Sequence, residues 1–225
     1  MKFNSCNWGP LVSLKVGITR FLGTNCDEDV RKWVLSKSAT ATYLWYEDQF
    51  NVKDYDMVII PGGFSYGDYL RCGALAAQTP VMKSVKEFAQ KEKPILGICN
   101  GFQILCESGL LPGALLANSE QRFKDQWVEL EVKQNKNPFA KQTSNGQVLK
   151  LPIAHGMGNY YADSETLKKL SDQNQIWLTY KDNPNGALLN IAGITNEKHN
   201  ICGLMPHPER ANAPWMGSSD GAFFL

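Results

Sequence analysis

The sequence predicts an α/β fold: a mostly parallel central sheet flanked by helices, with additional antiparallel strands in the second half. Two observations carry this. In the first hundred residues, short apolar and β-branched runs alternate with segments of helical period, the pattern of strand–helix–strand units. Beyond about residue 125, strand-like segments follow one another with little helix between them. The length of 225 residues suits one domain with a substantial core and is short for two.

Taken in order, Leu14 to Phe21 reads as the first strand, and a helix follows from about Asp27. Asp27, Glu28 and Asp29 place negative charge in its first turn, where the helix dipole favours it, and Val30, Trp33 and Val34 give it an apolar stripe. Thr40 to Trp45 is a second strand, and Met57 to Ile60 a short buried one ended by Pro61-Gly62-Gly63. A helical region is expected from about Tyr69 to Lys91, broken before Pro80. Pro94 to Ile98 is the next strand, and Asn100 to Glu107 a helix that starts at once and ends near Gly109 and Pro112. In the second half, Trp127 to Val132, Val148 to Ala154, Ile176 to Tyr180, Ala187 to Ile194 and Ile201 to Leu204 are strand-like. Thr166 to Leu170 belongs to a short helix, and Gln134 to Gly146 is a polar loop or hairpin excursion.

Composition narrows the function. Hydrophobic residues make up 43% and charged residues 20% of the chain, an ordinary globular balance, and the formal net charge is +1. With no long basic run, neither nucleic acid nor a membrane surface is the expected partner. Met1 to Leu14 is too interrupted by polar residues, Gly9 and Pro10 for a secretory signal, and no stretch reaches the ~18 apolar residues of a membrane helix. The expectation is a cytoplasmic protein. Its six cysteines show no clustered framework and no metal-ligand pairing, so they are expected to be reduced thiols without a metal.

The sharpest local signal is Gly97-Ile98-Cys99-Asn100-Gly101. A buried strand runs straight into a helix with a nucleophile at the corner, and the small residues two before and two after it permit the tight turn of a nucleophile elbow. Cys99 then lies at a helix N-terminus, where the dipole favours thiolate, and the Asn100 N–H points at a developing oxyanion. The competing reading is a buried core cysteine. A thiol nucleophile needs a base, and the base an orienter. Among His155, His199 and His207, the last lies in Met205-Pro206-His207-Pro208-Glu209-Arg210, after a strand. On an extended segment held by its prolines, residues two apart point the same way, so Glu209 can approach the His207 imidazole. A Pro-rich surface turn is the alternative. In Pro61-Gly62-Gly63-Phe64-Ser65-Tyr66-Gly67-Asp68, paired glycines let backbone approach a ligand, and Gly63 offers a second oxyanion donor; a plain strand-to-helix turn competes with this.

Together these motifs resemble the class I glutamine amidotransferases, with Gly97, Cys99, Gly101 and Gln103 matching their elbow pattern. A narrower resemblance rests on Arg20 to Asp27, Gly63 to Arg71, Gly97 to Leu105, Ile153 to Gly156 and Gly203 to Arg210: these are similar to the glutaminase subunits of phosphoribosylformylglycinamidine synthase. It covers the chain from about Lys15 onward, leaving residues 1–14 as an N-terminal extension to a domain over 15–225. The resemblance implies a Cys99–His207–Glu209 triad, oxyanion donors at Gly63 and Asn100, and glutamine contacts from Gln103 and Gly62. It implies that ammonia from glutamine passes to a synthetase subunit, with a small third subunit as a further partner. No cofactor is expected in this chain, ATP and magnesium belonging to the synthetase. Two positions inside the domain depart from the pattern: Leu22 where proline is usual, and Met157 where glutamate is common. The rival readings are a stand-alone cysteine hydrolase, such as a γ-glutamyl peptidase, and a non-enzymatic regulatory subunit with an inert cysteine.

Overall fold

The computed structural model describes residues 13–225, so the first twelve residues of the expected extension lie outside the described residues. The chain folds around a nine-stranded sheet in the order β2-β1-β3-β4-β11-β10-β9-β6-β7. Its parallel half consists of β1 (Lys15–Arg20), β2 (Thr40–Trp45), β3 (Met57–Ile60), β4 (Ile95–Ile98) and β11 (Ile201–Leu204). Its antiparallel half adds β10 (Ile191–Thr195), β9 (Ile176–Tyr180), β6 (Lys124–Val132) and β7 (Val148–His155). The side-chain pattern explains the difference. β3, β4 and β11 are buried at every position, as strands at the centre of a covered parallel sheet must be, whereas β6 and β7 alternate buried with exposed positions. A two-stranded sheet, β5 (Ala114–Leu116) with β8 (Asn159–Tyr161), lies outside the main one.

Helix α1 (Asp27–Ser36) packs on β1 and β2 and buries Val30, Trp33 and Val34, the expected stripe. Helix α3 (Asn100–Glu107) packs on β4 and β11. Helices α2 (Pro80–Gln90) and α4 (Ser164–Asp172) complete the set; α2 begins with proline at its first turn, where the missing N–H costs nothing, and the Asp163 carboxylate caps α4 by accepting from the Thr166 N–H at 2.8 Å.

Three expectations are corrected. The segment from Tyr69 to Thr79 is not helical apart from one turn at Ala76–Gln78. Tyr66, Asp68 and Leu70 all take positive φ, and Tyr69 and Leu70 are 75% and 85% exposed, so neither backbone nor burial supports a helix there. The strand expected from Ala187 starts only at Ile191, because Leu189 and Asn190 also have positive φ. Pro208–Arg210 forms a single 3₁₀ turn rather than an extended segment.

Candidate active site

Five loops meet at the carboxyl ends of β1, β3, β4, β7 and β11. β1 sits between β2 and β3, and the crevice outside the strand ends where the order reverses is the usual ligand position of such sheets. At its centre, Cys99 joins β4 to α3 with φ 50° and ψ −103°, a strained conformation for a non-glycine residue. The flanking glycines are what permit it. A Cβ on Gly101 would lie 1.9 Å from the Ile60 carbonyl oxygen, and one on Gly97 would lie 2.6 Å from the Gly101 oxygen. The elbow therefore exists only with hydrogen at both positions.

β11 lies beside β4 in parallel register, Leu204 opposite Ile98, and the Cys99 N–H donates to the Leu204 carbonyl at 2.8 Å. The chain emerging from β11 thus carries His207 to Cys99. His207 Nδ1 and Glu209 Oε1 are 2.6 Å apart, with both residues almost fully buried. The 3₁₀ turn at Pro208, not extended backbone, brings the carboxylate to the ring. Burial alone would depress the imidazole's basicity. Glu209 and Cys99 reverse this, holding His207 well above its ordinary value. His207 Nε2 has no hydrogen-bond partner among the described residues, and Cys99 Sγ faces the Ala154 carbonyl at 3.8 Å.

Cys99 opens onto a cavity of about 150 Å³ lined by Gly63, Phe64, Asp68, Cys72, Gln103, Phe123, Ala154, His155, Gly156 and Met157. Among the described residues the Gly63 N–H has no backbone acceptor, and the Asn100 N–H opens a helix, where no intrahelical acceptor exists. Gly63 lines the same cavity as Cys99, and Asn100 follows Cys99 in the chain. Asn100 and Gln103 also act as struts. Asn100 Oδ1 accepts from the Ser65 N–H at 3.2 Å, its amide donates to Gln103 Oε1 at 2.8 Å, and Gln103 Nε2 donates to the Met157 carbonyl at 2.7 Å. Gln103 lines the cavity, but both ends of its amide are engaged by protein. Gly62 does not line it; a Cβ there would lie 2.8 Å from His207 Cε1 and 3.4 Å from Cys99 Cβ, so its smallness makes room for the triad.

Two neighbours of the site were not singled out from the sequence. Cys26, which caps α1, places its Sγ beside His207, where it accepts from an Arg210 Nη at 3.2 Å; Arg210 Nε in turn donates to Asp29 at 3.1 Å. Cys26, His207 and Glu209 bring donor atoms within 4.8 Å of one another. The Arg210 guanidinium on the sulfur and the His207–Glu209 bond make this a poor seat for a cation. Burial raises the Cys26 thiol, with the contact to His207 only partly opposing it. The second neighbour is Asn118, whose Oδ1 lies 3.1 Å from His155 Nδ1 and accepts from the Gly158 N–H at 3.0 Å. Desolvation, then the nearby His207 charge, lowers His155 to about 4. The third histidine, His199, lies away from the site and pairs with Thr195 at 2.9 Å. The five described cysteines are all free thiols, and Cys6 lies outside the described residues.

A strained cysteine elbow beside a buried histidine–carboxylate pair, on this sheet, defines the class of cysteine-dependent amidotransferases, and the family model of the CobB/CobQ-like glutamine amidotransferase domain matches residues 13–221. Phosphoribosylformylglycinamidine synthase subunit PurQ of Prochlorococcus marinus (strain MIT 9312) is 52% identical over 212 residues, which are 93% of this chain and 95% of the relative. The structure of PurLQS from Thermotoga maritima contains a chain with a TM-score of 0.88 and 39% identity, covering 95% of this chain and 96% of that one. A glutamine amidotransferase from Thermotoga maritima, at 19% identity and a TM-score of 0.59 over 88% of this chain and 77% of that one, shares the fold. The chain belongs to the family of glutaminase subunits of phosphoribosylformylglycinamidine synthase. Among the described residues, no helix is long and apolar enough to cross a membrane.

Proposed function

We propose that this chain hydrolyses glutamine to glutamate at Cys99 and supplies the ammonia to a synthetase subunit. There, ammonia serves the ATP-dependent conversion of formylglycinamide ribonucleotide to formylglycinamidine ribonucleotide in purine biosynthesis. The observation that carries the chemistry is the elbow: Cys99 opens onto a cavity with His207 and Glu209 buried behind it.

Glu209 fixes the ring through Nδ1, leaving Nε2 to take the Cys99 proton. The thiolate attacks the glutamine Cδ, and the oxyanion is held by the N–H groups of Gly63 and Asn100. Loss of one such donor costs about 2.7–4 kcal/mol of transition-state stabilisation. His207 then gives the proton to the departing nitrogen, ammonia leaves, and a water deprotonated by His207 cleaves the thioester to glutamate and free thiol. Gln103 contributes by fixing Asn100 and the Met157 loop around the substrate.

The partners are the synthetase subunit and a small third subunit; ATP and magnesium act in the synthetase, this chain needs no cofactor, and the assembly works in the cytoplasm. Ammonia release from glutamine should be measured for the chain alone and with the synthetase subunit, ATP and formylglycinamide ribonucleotide. Strong release only in the mixture is expected. Full release by the chain alone would favour an independent hydrolase, and a Cys99→Ala variant that kept its activity would overturn the nucleophile assignment.

A further inference from the structure

The cavity over Cys99 has a charge asymmetry that the triad does not use. Of its lining residues only Asp68 carries a carboxylate, and none is lysine or arginine. Among the described residues, Asp68 Oδ1 is shielded from solvent without a hydrogen-bond partner, the Cys72 thiol is the one donor that interacts with this carboxyl, and no cation pairs with it. A shielded carboxylate oxygen without a partner is costly to maintain. The backbone is also left-handed on both sides of Gly67, with φ of 54° at Tyr66 and 57° at Asp68. Burial raises the Asp68 carboxyl, and the neighbouring Cys72 thiol only partly offsets this. The group is therefore set to gain from a cation that arrives with a ligand.

Resting on the glutaminase reading above, we propose that Asp68 is the specificity residue that receives the α-ammonium of glutamine. The substrate then lies with its amide at Cys99, its ammonium inward at Asp68, and its α-carboxylate toward the mouth, where Phe64 and Phe123 stack with ring centroids 6.4 Å apart. With no basic side chain on the lining, the ammonium is the end of the amino acid that the cavity matches by charge. Compounds with the same side-chain amide but no α-amine are disfavoured, because they leave the shielded Asp68 Oδ1 without a cation.

The test compares glutamine with glutaramate, which lacks the α-amine, as substrates of the complex with the synthetase subunit and as protectants of Cys99 against iodoacetamide. The wild-type complex should prefer glutamine about 10- to 100-fold, the range for one charged hydrogen bond. Asp68→Asn should lose that preference by raising KM for glutamine with kcat little changed, while glutaramate stays within about threefold of wild type. Cys72→Ser, which alters the neighbour but not the carboxylate, should keep the preference. Full discrimination retained by Asp68→Asn overturns the proposal. So does an equal loss for both compounds, which would mean that Asp68 only shapes its loop. Failure of the glutaminase reading itself would appear separately, as wild-type complex that releases no ammonia from glutamine.

Discussion

At the residue scale, two thiols approach one imidazole and are not equivalent. Cys99 has the elbow, the helix N-terminus and the cavity; Cys26 accepts from Arg210, donates to Asn25, and does not line the cavity. Cys99→Ala should reduce ammonia release about 10³-fold or more, and His207→Gln about 10²- to 10⁴-fold, in steady-state assays of the complex. Cys26→Ser should retain activity within about tenfold, since no step of the proposed mechanism passes through its sulfur. Glu209 holds His207 well above its ordinary value against the effect of burial. Glu209→Gln should therefore move the alkaline limb of the pH–rate profile to lower pH, because the imidazolium that protonates the leaving nitrogen is lost sooner as pH rises. An unmoved limb would mean that another group sets it. The departure at Leu22 is benign here: its side chain is exposed, and only its carbonyl is used, accepting from the Tyr66 N–H at 2.7 Å. Met157 likewise contributes its carbonyl, to Gln103.

At the scale of elements, the turn between β4 and α3 is the least tolerant part of the fold. Gly101→Ala would push a methyl group into the Ile60 carbonyl and should destabilise the chain by about 1–3 kcal/mol, read as a lower denaturant midpoint, with activity falling further as the elbow shifts. This element was legible in the sequence, since an apolar strand, a cysteine and spaced glycines leave few other geometries. The helices at Asp27 and Asn100 and the strands at Met57 and Ile201 were legible for the same reason: local period and burial agree. The stretch from Tyr69 to Thr79 was not. Its residues are compatible with helix, and only tertiary contacts, such as the Tyr66 N–H to Leu22 carbonyl bond, hold Tyr66, Asp68 and Leu70 left-handed. The short pairing of β5 with β8 joins segments over forty residues apart and has no signature in either. Cys26 and Asn118 escaped notice likewise, because their partners, His207 and His155, are distant in sequence.

For the whole molecule, the buried His155 ties global stability to pH. It is lowered to about 4, so the unfolded chain binds the proton more readily. Its contribution is complete above about pH 6.5 and is lost as pH falls toward 4, by at most about 3 kcal/mol. Chemical denaturation across that window should show a shallower pH dependence for His155→Gln than for wild type. Equal slopes would assign acid sensitivity to other groups.

The sheet also fixes the order in which the site can come into being. Its proposed nucleophile leaves β4 and its proposed base leaves β11, neighbours in space but separated by more than a hundred residues of sequence that include the antiparallel half. During synthesis the thiol is made long before the imidazole. The closing segment also matters to the base: the Gly221 N–H donates to the Ala211 carbonyl at 2.7 Å, and a Cβ on Gly221 would lie 1.9 Å from the Pro208 oxygen. A nascent chain that stops short of β11 displays Cys99 without His207 or Glu209. In such a fragment the proposed nucleophile stands without its proposed base.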